Sequence, residues 1–186
     1  MPIPITSPPP ECATEADTCF HVVLVNPEIP PNTGSIARLC AGTRCRLHLV
    51  KPLGFELDDR RLKRAGLDYW PAVDLSVHES FEAIVALFGP QRLHLFTTKA
   101  EKVYSSVRFR LGDALVFGAE TKGLATEIRE RYPERCVILP IAKGSIRSLN
   151  LANSVSIGLF EALRQVDFAP IGFSNNAREE VVHVTY

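Results

Sequence analysis

Between residues 20 and 165, short apolar runs alternate with longer amphipathic stretches. The runs 20–25 (FHVVLV), 46–50 (RLHLV), 92–97 (RLHLFT), 114–117 (ALVF) and 136–139 (CVIL) are rich in Val, Leu, Ile and Phe. Gly, Pro, Asn or Asp bound them, which predicts strands. FHVVLV and CVIL show little polar alternation, as expected of strands covered on both faces by helices. Helices are predicted over 34–41, 59–65, 79–88, 125–131 and 150–165. The last is the clearest: Leu151, Val155, Leu159 and Leu163 recur every four residues, while Glu161, Arg164 and Gln165 can face water. This alternation predicts an α/β fold, an open, mainly parallel sheet with helices on both faces and ligands at the carboxyl ends of its strands.

Three of the predicted strands run into loops crowded with residues that neither pack nor extend. The first loop, NPEIPPNTG from Asn26 to Gly34, is stiffened by three prolines, and Asn32 or Thr33 can cap a helix starting near Gly34. Arg38 then sits about one turn into that helix, within reach of the sheet edge. The second loop, GAETKGL from Gly118, has two glycines five apart around Glu120, a backbone suited to close approach. It is neither a GxGxxG nor a phosphate-binding loop ending in GK[ST], so a kinase or a dinucleotide oxidoreductase is poorly supported. In the third, Ser148, Asn150, Asn153 and Ser154 crowd the entrance to the last helix, where one N-cap at Ser148 or Asn150 would suffice.

Composition narrows the function classes. The chain has 186 residues, 46% of them hydrophobic, and 21 Lys and Arg balance 21 Asp and Glu. A neutral chain is not a globally basic nucleic-acid binder but leaves room for a basic patch. From Arg38 to Arg64 eight basic residues (Arg38, Arg44, Arg46, Lys51, Arg60, Arg61, Lys63, Arg64) face three acids (Glu56, Asp58, Asp59), either a solvated face or a contact with RNA phosphates. Five cysteines at irregular spacing, without a CxxC, point to a reduced cytoplasmic protein with no metal centre and no disulfide framework. No apolar stretch is long enough to cross a membrane as a helix. Residues 1–19, with five prolines in the first ten, read as a disordered leader; 20–166 read as one domain, and 167–186 as a loosely attached tail.

Taken in order, NPEIPPNTGSIARLCA, LVFGAETKGL and LPIAKGSIRSLNLANSVSIGLFEALRQ resemble the three motifs of the SpoU branch of the SPOUT superfamily of RNA 2′-O-methyltransferases. The likeness covers residues 20 to 165. It is strongest to the short, single-domain enzymes that modify the wobble cytidine or uridine of tRNA. The resemblance implies a deep C-terminal trefoil knot, S-adenosylmethionine as cofactor and a homodimer. Carried over by position, Phe96, Thr97, Gly118, Glu120, Gly123, Leu139, Ile141, Ser148 and Asn150 would bind the cofactor. Arg38, Asn32, Ser148 and Asn150 would serve catalysis, and Arg38, Arg60, Arg61, Arg64, Lys122 and Arg147 would contact RNA. One departure is Phe160, where the family often has tyrosine.

The implied chemistry suits these residue types. Methyl transfer from a sulfonium to a ribose hydroxyl needs no metal. Arginine stays protonated in proteins, so Arg38 is an orienting donor rather than a base. Glu120 is assigned to structure or cofactor placement. The alternatives are a related enzyme acting on another tRNA position or on ribosomal RNA, and a knotted RNA-binding protein without catalysis.

Overall fold

The computed structural model describes residues 19–56 and 72–172. Six strands form one sheet there: β1 (His21–Val25), β2 (Arg46–Val50), β3 (Leu75–His78), β4 (Leu93–Phe96), β5 (Ala114–Phe117) and β6 (Cys136–Val137). Their order is β3-β2-β1-β5-β4-β6, and every neighbouring pair is parallel. The helices are α1 (Pro30–Thr43), α2 (Phe81–Phe88), α3 (Thr126–Arg131) and α4 (Leu151–Gln165). The helix expected over 59–65 and the leader over 1–18 lie outside the described residues. β3 was not expected. Its sequence, LSVH, carries two polar residues in four, and every one of its positions is only half-buried at the sheet edge.

Strand alternation builds two cores. Val22 and Leu24 of β1, Leu47 and Leu49 of β2 and Leu115 and Phe117 of β5 meet Ile36, Ala37 and Cys40 of α1 and Val155, Leu159 and Leu163 of α4. Val23, Val25, Val50, Leu95 and Val116 point the other way, against Phe81 and Ile84 of α2. Each such side chain removed from water contributes about 1.5–3 kcal/mol, which fixes the strand register because a one-residue slip would exchange the two faces. α4 lies close to the sheet at Gly158, where a Cβ would come within 2.8 Å of the Phe96 ring, itself stacked on Phe117 at 4.5 Å. Beyond α4, Phe168 and Ile171 pack onto the first core.

The histidines of β1, β2 and β3 lie against one another. His21 Nδ1 lies 3.0 Å from His48 Nε2, and His48 Nδ1 lies 2.9 Å from His78 Nε2, so the three imidazoles join in a row across three strands. The Phe88 ring meets His21 and His48 edge-on. Burial holds His48 well below the usual histidine range, and the neighbouring imidazoles and Arg46 add to it. The buried thiols are equally inert: burial pushes Cys45 up to about 11.

Candidate active site

The sheet order puts β1 beside β5, although the chain leaves β1 toward β2 on one side and reaches β5 from β4 on the other. Such a reversal opens a crevice at the carboxyl ends of the strands. The loops after β1 and β5 meet there and exchange carboxylates. Glu120 accepts hydrogen bonds from the backbone N–H of Glu28 (2.8 Å) and Ile29 (3.2 Å), and from Asn32 Nδ2 (3.0 Å). In return the Glu28 carboxylate accepts from the Thr121 N–H (3.0 Å) and hydroxyl (2.7 Å).

The exchange fixes the chain where it enters α1. The helix starts at Pro30 rather than near Gly34, because a proline at the first position lacks an N–H and arrives with helical φ. The residue before it, Ile29, cannot cap. Pro30 and Pro31 carry no N–H and the Asn32 N–H reaches Ile29 O (3.0 Å), so the first turn leaves no donor for a cap; Glu120 instead holds the two N–H groups just before the helix and places a negative charge at the positive end of its dipole. Asn32 and Thr33, expected as caps, therefore fall inside the first turn. The Asn32 side chain is freed to work between loops.

It does so by bridging to the third loop. Asn150 Nδ2 donates to Asn32 Oδ1 at 3.0 Å, while Asn150 Oδ1 accepts from the N–H groups of Ala152 (2.9 Å) and Asn153 (3.3 Å), capping α4. Asn150, Asn32 and Glu120 thus form one continuous chain of hydrogen bonds across three segments far apart in sequence. The middle loop folds tightly enough to need its glycines. A Cβ on Gly118 would sit 2.1 Å from the backbone of Gly123 and Leu124. Gly123 donates its N–H to Ala119 O at 2.8 Å from a left-handed φ of 68°.

The other expected residues are placed as follows. Thr97, just after β4, donates its N–H to Val137 O at 2.9 Å, and Leu139 and Ile141, just after β6, are half-buried. Phe96 buries its ring in the core, so only its backbone, at the strand end, faces the site. Ser148, Arg147 and Lys122 are exposed. Arg38 lies two turns into α1 rather than one, since the helix starts earlier, and stands on an exposed stripe with Pro31, Ser35 and Gly42. Arg60, Arg61 and Arg64 lie outside the described residues. Glu28 and Thr121 were not anticipated. Both network carboxylates are held by N–H and O–H donors and tie the loops together.

Residues 19–160 match the SpoU rRNA Methylase family. The tRNA (cytidine(34)-2′-O)-methyltransferase of Methylovorus glucosotrophus (strain SIP3-4) is 54% identical over 151 residues, 81% of this chain and 97% of that protein. A solved structure concerned with 2-OH methylation of C/U34 on tRNA superposes with a TM-score of 0.75 at 44% identity, covering 81% of this chain and 97% of its own. The SpoU methyltransferase AviRb of Streptomyces viridochromogenes, in complex with the cofactor AdoMet, shares the fold at 22% identity. Its TM-score is 0.69, over 81% of this chain and 58% of that one. The match over most of the chain and the parallel sheet with its interlocked loops agree: this chain belongs to the SpoU methylase family.

Proposed function

We propose that this chain transfers the methyl group of S-adenosylmethionine to the ribose 2′-hydroxyl of the wobble nucleotide, cytidine or uridine, in the anticodon loop of tRNA. The observation that carries the reading is the Asn150–Asn32–Glu120 chain, which draws the three motif loops into one crevice. The names of the high-identity relatives supply the substrate.

The donor set in the crevice fits S-adenosylmethionine. Backbone groups around Gly118–Gly123, the half-buried Leu139 and Ile141 and the hydroxyl of Ser148 suit an adenosyl group, which offers a flat apolar ring and hydrogen-bonding edges but no charge to match. Bound there, the cofactor supplies a methyl group on a positively charged sulfur. Asn150, fixed by three partners, and Asn32, fixed by two, keep the third loop and α1 in register, so the residues on both are pre-oriented. Orientation of this kind is worth up to about 7–11 kcal/mol of barrier. Arg38 donates to the ribose oxygen and stabilises the negative charge that grows there; being always protonated, it cannot accept the proton, which leaves to water or an RNA phosphate.

The working unit is residues 20–166, with a C-terminal trefoil knot inherited with the family, in the cytoplasm. No helix among the described residues is long and apolar enough to cross a membrane. It acts as a homodimer. Asn153, Ile157, Phe160 and Arg164 form one exposed stripe of α4, and Ile157 (39% exposed) and Phe160 (46%) are large apolar groups that a second copy would cover. The phenyl ring at 160 would pack by area alone, without the hydroxyl that tyrosine brings.

Incubating the protein with tRNA and labelled S-adenosylmethionine, then mapping the product by nuclease digestion and mass spectrometry, tests the reading. The label is expected on the 2′-oxygen of nucleotide 34 alone. Methylation at another tRNA position, on ribosomal RNA only, or nowhere contradicts it.

A further inference from the structure

At the opposite, amino-terminal end of the sheet lies a second concave feature that plays no part in the chemistry above. An open cleft of about 310 Å³ is lined by Gln91, Arg92, His94, Arg108, Arg110, Asp113 and Arg135. It adjoins a smaller one of about 180 Å³ that shares His94, Arg108 and Arg135 and adds Lys102 and Glu134. Five cations and two acids surround this space in a protein whose total charge is zero. His94 and Asp113 stand at the starts of β4 and β5, so the cleft is separated from the candidate active site by about 13 Å of strand.

The acids do not neutralise the cations evenly. Asp113, 5% exposed, is taken up by the floor: its Oδ2 accepts from His94 (2.9 Å) and from the Arg110 N–H (2.9 Å), and Arg92 stands 3.6 Å from its other oxygen. Arg92 and Arg135 are anchored through carbonyls, donating to Leu111 O (2.6 Å) and Gln91 O (2.9 Å). Arg108 and Arg110 flank the buried Phe109, and neither guanidinium makes a hydrogen bond or ion pair with another described residue. Their segment is nevertheless held: Gln165 of α4 accepts from the Phe109 N–H at 2.9 Å and donates to Val107 O at 3.1 Å. Two uncommitted arginines on a pinned backbone, beside two anchored ones, make a preorganised anion site.

Four guanidinium forks around one cleft call for a ligand with several charged oxygens, and phosphate oxygens match the fork geometry. The lining offers no exposed aromatic ring on which a base would stack, so recognition runs through phosphate alone. We propose that this cleft binds two consecutive phosphodiesters of the RNA substrate at a distance from the methylated ribose, acting as an affinity site rather than a catalytic one. The RNA origin of the phosphate rests on the tRNA reading above; the phosphate chemistry does not.

The test is tRNA binding by the full chain at several salt concentrations, comparing wild type with Arg108→Gln/Arg110→Gln, whose side chains hold up no described part of the fold. Loss of two phosphate contacts is expected to flatten the slope of log K against log salt by about 1.4–1.8 and to weaken tRNA binding roughly tenfold or more. The KM for tRNA rises while kcat and S-adenosylmethionine affinity stay at wild-type values. A parallel arm measures thermal stabilisation by inorganic pyrophosphate. If pyrophosphate stabilises the wild type but not the variant while tRNA binding is unchanged, the RNA assignment is overturned in favour of a free oligophosphate. If neither ligand distinguishes the two proteins, the cleft is no phosphate site. Should the wild type fail to bind tRNA, the functional reading falls and the pyrophosphate arm alone decides the cleft.

Discussion

Arg38→Ala is expected to lower methyl transfer to tRNA by on the order of 10³-fold while leaving S-adenosylmethionine affinity within a few-fold. The side chain stands on the exposed stripe of α1, two turns from the helix start, and not among the loops assigned to the cofactor. Its work is done only when the ribose oxygen carries charge, so its loss appears in kcat rather than in cofactor binding. Arg38→Lys should recover little, because an ammonium cannot reproduce the planar fork. Single-turnover transfer and equilibrium cofactor binding, measured on the same preparations, separate the two effects. A comparable loss of cofactor affinity would place Arg38 on the cofactor side and refute the assignment.

Glu120→Gln is the more demanding case, because it keeps the shape and changes only the sign of one contact. The carboxylate accepts from three donors: the N–H groups of Glu28 and Ile29 and the amide of Asn32. An amide must turn an NH₂ toward at least one of them, leaving donor facing donor. In either orientation at least one backbone N–H before α1 loses its acceptor, in one of them Asn32 does too, and the negative charge at the helix start is gone. We expect kcat/KM to fall about 100-fold, equivalent to about 2.7 kcal/mol, and unfolding stability to drop by about 1–2 kcal/mol, the range for a charged hydrogen bond lost at a partly buried site. Stopped-time transfer assays with urea denaturation read both. Transfer at the wild-type rate would show that the loop lock plays no part in catalysis.

Much of the architecture could be read from residue pattern, since apolar runs such as FHVVLV and ALVF bury both faces and have few alternatives. β3 escaped because an edge strand with Ser76 and His78 carries no such pattern; the partner that makes His78 sensible, His48, is 30 residues away. The start of α1 escaped for a different reason. Three prolines suggested a stiff loop, yet Pro30 and Pro31 sit where a helix tolerates proline best. Asn32 was picked out as a cap and turned out to bridge loops. Glu28 and Thr121 were invisible as a pair, because nothing along the chain says that the loops after β1 and β5 are neighbours until the strand order is known. Motif order along the chain is what singles out the candidate residues, whereas the contacts that position them depend on topology.

A crystal structure of the protein with S-adenosylmethionine is the most direct test of the central claim that the carboxyl ends of β5, β4 and β6, closed by the loop before α4, hold the methyl donor. The account predicts the adenosyl group among Thr97, Gly118–Gly123, Leu139–Ile141 and Ser148, with the methyl carbon directed toward the side that carries Arg38. A donor seated in the arginine-lined cleft at the other end of the sheet, or a protein that binds none at saturating concentration, would contradict it.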